Sequence, residues 1–174
     1  MAHDARSIAN FFLDLADEAR RDLTPMSLLK ILYFGHAWHL AKYKSPLTGQ
    51  NFEAWKFGPV NRVVYDQIKC FGKNKIDSRL TKFDAGLNCY PIATYSLSYE
   101  EDIFLRNIFK YYSEFHPYKL SDITHEASTP WDTVWNMAEN GAVAGMVIPN
   151  KLILEWFETT GGTLYRAGEQ RGTT

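Results

Sequence analysis

Apolar residues recur at helical spacing through the first quarter of the chain. Residues 8–20 place an apolar stripe opposite charged positions, which predicts an amphipathic helix. Thr24 and Pro25 have the residue types favoured at the N-cap and first position of a helix. That second helix should run to about Lys44 with a wide apolar face, because Ser45-Pro46 then supplies a stop. Two helices are therefore expected before residue 45.

The hydrophobic period changes after the second helix. Residues 52–57 alternate large apolar residues with smaller or charged ones, which predicts a short, half-buried strand. Gly58-Pro59 breaks this strand and is expected to open a helix that runs through Val60 to Ile68. Residues 81–95 show no clear period and predict extended structure or a loop.

The second half of the chain returns to a helical pattern. Ser98, with Glu101 three residues later, forms a capping-box signature for a helix that ends near His116-Pro117. Thr129 is the expected cap of a later helix. The shorter helices are predicted over 118–125, 130–137 and 149–157.

Length and composition fit one folded domain. The 174 residues are 45% hydrophobic and 15% aromatic, enough to bury a core, which excludes disorder over most of the chain. We predict a mainly α class, a single globular helical domain over 1–174 with a short β strand or hairpin. Its core should cover about 7–158, with a flexible connection at Gly141–Gly145 and a frayed tail from Gly161.

The sequence favours a cytoplasmic location. The N-terminus lacks the apolar run of about 7–15 residues that a signal peptide needs. The most apolar stretch, Met26 to Leu40, is interrupted by Lys30 and His36, so we expect no membrane span. Cys70 and Cys89 are expected to be free thiols in a reducing compartment.

Familiar catalytic and metal-binding spacings are missing from the sequence. His36 and His39 have no carboxylate at a matching helical offset, so we expect His36 at a helix–helix seam and His39 facing water. Neither a Gly-x-Ser-x-Gly elbow nor a glycine-rich phosphate loop occurs. We therefore predict no enzyme, no catalytic residue, no metal and no cofactor. A metal-dependent hydrolase that uses His116 and His125 is the enzymatic alternative.

One segment is basic although the whole chain is not. Residues 56–82 contain seven Lys or Arg and two Asp, whereas the formal net charge of the chain is -1. The overall charge argues against a general polyanion binder. The local excess fits a solvated face, a dock for an acidic protein surface, or a phosphate-binding patch. A nucleic-acid-binding transcriptional regulator that uses segment 56–82 is therefore the alternative function.

Aromatic residues cluster around Gly58-Pro59. Trp and Tyr anchor protein interfaces when they remain at the surface, and Gly-Pro permits a tight, rigid turn. We predict that Trp55 and Tyr65 pack together at this corner, that His125 satisfies a buried polar group there, and that a helix brings Trp131 onto it. Both a structural role and a role in contacting a partner are open for this corner.

Three segments in this order resemble a known family. They are Leu28–Leu40, Phe52–Val60 with Val64-Tyr65, and Leu120–His125 leading to Pro130-Trp131. The pattern is similar to the Panacea domain of prokaryotic antitoxins, also described as the phage-associated GepA or SocA-like family, over roughly residues 7 to 135. The most specific part is Ala54-Trp-Lys-Phe-Gly-Pro-Val60 followed by Val-Tyr.

The resemblance implies a cytoplasmic antitoxin that neutralises its cognate toxin by direct binding. Composition and charge, taken separately, disfavour nucleic acid as a partner and predict no membrane partner. The SocA branch further implies an adaptor that delivers the toxin to the ClpXP protease. We expect the interface in the basic 62–79 segment and at whichever of Tyr33, Trp55 and Phe57 is exposed. The residues assigned to toxin binding or to motif scaffold are Tyr33, Trp55, Phe57, Gly58, Pro59, Val60, Arg62, Tyr65, His125 and Trp131.

Overall fold

The computed structural model describes residues 1–139 and 146–159, which contain seven α-helices and three short strands. The predicted connection at Gly141–Gly145 and the predicted frayed tail from Gly161 lie outside these residues. The mainly α class with a short hairpin is confirmed. In chain order the elements are α1 Ala5–Glu18, α2 Pro25–Tyr43, β1 Phe52–Trp55, β2 Gly58–Asn61, α3 Arg62–Ile68, a 3₁₀ turn Lys69–Phe71, α4 Tyr99–Tyr112, α5 Pro117–Thr124, α6 Pro130–Glu139, β3 Val147–Ile148 and α7 Asn150–Thr159.

Helix α2 is the central element. Fifteen of its 19 residues are buried, because α1, α4, α5, α7 and β2 all pack around it. A helix that is covered on every side needs apolar residues all round, which explains why no polar stripe interrupts its sequence. At Gly35 a side chain would approach the Phe12 ring to 3.3 Å, so the glycine lets α1 come close.

The predicted helix caps are present. Thr24 accepts a hydrogen bond from the backbone N–H of Ser27 at the start of α2. Ser98 and Glu101 form both bonds of the capping box at the start of α4. Thr129 accepts from the backbone N–H of Asp132 in the first turn of α6. These local signals therefore fix where three of the helices begin.

The helix predicted to start at Gly58 is wrong in its first four residues. Gly58–Asn61, which includes Val60, forms β2 and pairs antiparallel with β1, so that Trp55 faces Gly58 across a two-residue turn. Gly58 has φ +103°, which no helical turn accommodates. Pro59 is tolerated because β2 is an edge strand in the order β2-β1-β3. The third strand, β3, was not predicted, since two residues carry no period.

The two histidines of α2 are both buried. His36 lies at the contact between α2 and α7, as expected: its Nδ1 accepts from the Thr48 backbone N–H, and Nε2 donates to Asn150 Oδ1 at 2.9 Å. The prediction that His39 faces water is wrong, because only 6% of it is exposed. The chain after α2 covers it, and its Nδ1 donates to the carbonyl of Ser45 at 2.8 Å.

Residues 80–93 form a second hairpin, separate from the sheet, within the stretch predicted as extended structure or loop. Thr81 pairs with Ile92, and Asp84 pairs with Cys89. The buried amide of Asn10 clamps its base: Nδ2 donates to the carbonyls of Leu80 and Ala93, and Oδ1 accepts from Leu80 N–H, all at 2.8–2.9 Å. One side chain on α1 therefore fixes both strands of this 81–92 hairpin.

Replacing Asn10 by alanine is expected to destabilise the protein by about 2 kcal/mol, because it leaves the Leu80 N–H and the Ala93 carbonyl without a partner and removes one of the two hydrogen bonds to the Leu80 carbonyl. Urea denaturation would measure the loss. Asn74→Ala, in an exposed loop, is the matched control and should change the unfolding free energy little. Equal losses for the two variants would contradict the role assigned to Asn10.

Among the described residues, no helix is both long and apolar enough to cross a membrane. Cys70 and Cys89 are free thiols, as predicted, and both are exposed.

Candidate functional site

The corner between β1 and β2 is held from behind by buried side chains. The Lys30 ammonium of α2 donates to the carbonyl of Pro59 at 3.1 Å. A side chain at Gly58 would lie 2.6 Å from both Lys30 Cε and Thr124 Oγ1, so the turn backbone packs directly on α2 and α5. The corner is therefore rigid, and only glycine fits at its tightest point.

The aromatic pair predicted at the corner is in contact. The rings of Trp55 and Tyr65 meet edge to face with centroids 4.8 Å apart, which fixes α3 against the hairpin. The Arg62 guanidinium lies over the Trp55 ring at 5.8 Å and also pairs with Glu53 at 3.3 Å. Glu53 in turn accepts from the indole N–H of Trp55 at 2.8 Å. Three side chains thus restrict the orientation of the Trp55 ring.

Helices α5 and α6 complete the corner from the other side. The indole N–H of Trp131 donates to the Trp55 carbonyl at 2.8 Å, and its ring meets the His125 ring at 3.9 Å. Ser121 Oγ donates to the Phe57 carbonyl at 3.1 Å and lies 3.4 Å from His125 Nδ1. The structure therefore places both His125 and Trp131 at the corner. Trp131 and Ser121 satisfy carbonyls of the turn, whereas the buried Nε2 of His125 has no hydrogen-bond partner among the described residues, so the polar partner predicted for His125 is not found there.

Exposure divides the ten sequence-predicted residues into two groups. Tyr33 is buried among Phe34, Phe52 and Phe157, so it has no surface to offer a partner. Phe57 is 58% exposed at the tip of the turn, with Lys56 Nζ 5.5 Å from its ring centroid. The buried residues are Tyr33, Gly58, Pro59, Val60 and Trp131, and those that reach the surface are Trp55, Phe57, Arg62, Tyr65 and His125.

Two basic groups behind the corner resist protonation. Burial lowers the pKa of Lys30 to about 7, because Lys30 is only 1% exposed. Burial also lowers the pKa of His125, and the nearby positive charge of Lys30 adds to this effect, while the Lys56 carbonyl opposes it. The interior of the corner thus disfavours positive charge even though its surface carries Arg62 and Lys56.

Most of the basic segment is neutralised within the chain. Five of its seven basic residues pair with carboxylates. For four of these five, the carboxylate lies outside residues 56–82. A paired side chain has less to gain from a phosphate, because its counter-charge would have to be released first. The pairs are Arg62 with Glu53, Lys69 with Asp66, Lys75 with Asp22, Arg79 with Asp14 and Asp17, and Lys82 with Asp4. This arrangement favours a structural role for the segment over nucleic-acid binding.

The histidines of the hydrolase alternative lie at opposite ends of α5. His116 caps its N-terminus and His125 its C-terminus, about 13 Å apart along the helix axis. That separation is too large for both to bind one metal ion, and the described residues contain no group of three His, Cys, Asp or Glu suited to a metal.

A cavity of about 450 Å³ with a mixed polar and apolar lining lies elsewhere, between the N-terminus and α4. Its wall includes His3, His39 and Glu101, and His3 Nε2 is 2.9 Å from Glu101 Oε1. Burial raises the pKa of Glu101, but the bonds from His3 and from the Ser98 backbone outweigh it and hold the pKa at about 2. Glu101 therefore stays ionised at neutral pH and ties the N-terminal segment to α4.

Sequence reasoning missed three polar residues that support the corner. Lys30, Ser121 and Thr124 all contact Phe57–Pro59, and none was assigned to the site. Lys30 carried a usable signal, because it is the single Lys, Arg, Asp or Glu between Pro25 and Ala41, in the middle of a largely apolar helix. Ser121 and Thr124 carried none, since Ser and Thr are common on exposed helices.

Comparisons with known proteins identify the same family that the sequence motifs resemble. The family described as antitoxin SocA-like, Panacea domain, matches residues 28–132. The chain is 31% identical over 156 residues to the antitoxin SocA of Caulobacter vibrioides, which covers 88% of this chain and 82% of that protein. No solved structure matches the chain significantly.

Proposed function

Because the chain belongs to the family of SocA-like antitoxins with a Panacea domain, we propose that it neutralises a cognate toxin in the cytoplasm by binding it directly. The observation that carries this proposal is the similarity to a curated antitoxin over most of both chains. The structure adds support, since the corner is a rigid surface that exposes an aromatic ring. The proposed activity requires no chemistry by the antitoxin itself.

Co-expression with the protein encoded beside its gene tests the proposal. We expect a stoichiometric complex on co-purification and recovery of growth when this chain is produced with that toxin. A toxin that stays active and fails to co-purify would refute the proposal. Operator DNA added to the purified chain addresses the alternative regulator, since phosphate binding weakens steeply with salt.

Phe57 is the residue of the corner that we propose to contact the toxin. It is the most exposed aromatic residue of the ten, and its backbone, not its ring, makes the internal bond to Ser121. Phe57→Asp is expected to weaken toxin binding about tenfold, because it places a charge in an apolar contact. Titration calorimetry with the purified toxin would measure the change.

Tyr99→Asp is the matched control for this variant. Tyr99 is 80% exposed in the first turn of α4, so the same kind of change is made at a surface outside the corner. Unchanged affinity for Phe57→Asp, with full binding by the parent chain, would leave the corner as a scaffold without toxin contact.

We further propose that the complex is handed to the ClpXP protease, as the SocA branch implies. The toxin should then disappear faster when this chain is present than when it is absent. Loss of ClpX should abolish the difference. A toxin half-life that is the same with and without this chain would reject the adaptor role while leaving neutralisation by binding intact.

A further inference from the structure

The 81–92 hairpin exposes more apolar surface than any comparable stretch of the described chain. Phe83, Leu87, Tyr90 and Ile92 are 46%, 69%, 67% and 58% exposed. Asp84 is the single charged residue between positions 83 and 92, and its carboxylate accepts the backbone N–H groups of Gly86 and Leu87 within the turn. Lys82, at the base of the hairpin, pairs with Asp4, so residues 83–92 present an almost uncharged surface to solvent.

The apolar side chains form one face of this hairpin. Phe83 and Tyr90 are directly opposite each other, and their rings meet at 5.1 Å. Ile92 is two residues from Tyr90 on the same strand, so it lies on the same face. Leu87 sits in the turn at the tip. An exposed face with this composition is typical of a protein interface.

The two edges of the hairpin differ in their hydrogen bonding. On one edge, the Gln67 side chain accepts from the Thr81 N–H at 2.9 Å and donates to the Thr81 carbonyl at 2.8 Å, as a neighbouring strand would. On the other edge, the backbone groups of Tyr90 and Ile92 point away from the ladder and have no hydrogen-bond partner among the described residues. The second edge is open to a further strand.

We propose that the open edge of the 81–92 hairpin binds the toxin, which adds an edge strand along Tyr90–Ile92 and packs apolar side chains on Phe83 and Tyr90. This inference rests on the proposed function for the identity of the partner. The partner's chemistry is set by the surface: backbone N–H and C=O groups to match the open edge, and uncharged side chains to match the face.

The size of the patch favours the toxin over a second copy of this chain. The four exposed side chains offer on the order of 500 Å² of surface, taking roughly 200 Å² for each large side chain. A stable interface buries about 800 Å² on each partner, so the hairpin alone is too small for a self-complementary dimer. A toxin can supplement it by contacting a second surface. Helix α3 connects the two candidate surfaces, since it carries both Gln67 at the hairpin and Tyr65 at the corner.

Two pairs of variants test this surface with purified toxin in calorimetry. Tyr90→Asp is expected to weaken binding roughly 30-fold, the loss typical of an interface hot spot, whereas the control Tyr99→Asp binds normally. Ile92→Pro removes an N–H that has no internal partner, and should weaken binding more than Ile92→Ala, which removes the side chain alone. Thermal midpoints of all four should stay close to that of the parent chain, since the side chains and the N–H that they alter are exposed.

Normal toxin binding by Tyr90→Asp would overturn the inference. A parent chain that is a dimer, and that Tyr90→Asp converts to a monomer on light scattering, would also overturn it, because the occupant would then be a second copy. A parent chain that fails to bind the toxin at all would refute the proposed function, and this outcome is visible before any variant is compared.

Discussion

Gly58→Ala is expected to lower the free energy of unfolding by about 3 kcal/mol or more. Two costs add at this position. The backbone has φ +103°, which L-residues with a side chain rarely adopt, and the new Cβ would lie 2.6 Å from Thr124 Oγ1 and from Lys30 Cε. Lys30 is buried and hydrogen-bonded to Pro59, so it has little room to move. Because Gly58 pairs with Trp55 across the turn, the strain should also disturb the contact between the Trp55 and Tyr65 rings.

Gly72→Ala separates the cost of the backbone conformation from the cost of the steric contact. Gly72 also has positive φ, +58°, but a side chain there meets nothing within 4 Å. Gly72→Ala should therefore cost about 1–3 kcal/mol, from the backbone conformation alone. Urea denaturation followed by tryptophan fluorescence measures both variants. If Gly58→Ala were no more destabilising than Gly72→Ala, the turn would not be packed against α2 and α5 as described.

The second large effect is a dependence of stability on pH that Lys30 contributes. Its pKa is about 7 in the folded protein, against an ordinary value of 10.5. Between these pH values the unfolded chain binds a proton that the folded chain does not, so the free energy of unfolding rises with pH across the window. Each unit of pKa difference is worth about 1.4 kcal/mol, so the rise should amount to several kcal/mol between pH 7 and pH 10. Below pH 7 both states are protonated, and this contribution stays constant.

Lys30→Met should remove this rise. Methionine fills a similar volume without a charge to desolvate, although it leaves the Pro59 carbonyl without its donor. We therefore expect the stability difference between parent and variant to shift in favour of the parent as pH increases from 7 to 10. Lys151→Met, at a side chain that is 84% exposed, should keep the slope of the parent. Parallel curves for the parent and Lys30→Met would contradict a buried lysine with a lowered pKa.

The helices could be predicted because their signals are local. Thr24-Pro25, Ser98 with Glu101, and Thr129 mark helix starts through bonds within one turn, and the structure contains those bonds. The start of α3 could not be placed in this way. Gly-Pro opens helices and also ends tight hairpin turns, and only the pairing of Gly58–Asn61 with β1 selects the second outcome.

The corner was partly visible in the sequence because its aromatic residues are close to one another along the chain. Trp55 and Tyr65 are ten residues apart, and a turn followed by a helix brings them together. The 81–92 hairpin was not recognised, because it depends on two distant amides, Asn10 and Gln67, that replace the pairing a larger sheet would provide. The burial of His39 likewise depends on a loop, and helical spacing does not report it.

The C-terminal position of α7 has a practical consequence for anyone who trims the chain. The matched family segment ends at residue 132, yet Phe157 of α7 packs against Tyr33, Phe34 and Trp38 of the central helix. Asn150 of α7 also accepts a hydrogen bond from the Nε2–H of the buried His36 imidazole. A fragment that ends at residue 132 would lack α7 and would expose the apolar face of α2 that α7 covers. We expect such a fragment to precipitate. Expression plasmids should therefore extend through Thr159, and α1 should be retained for the same reason.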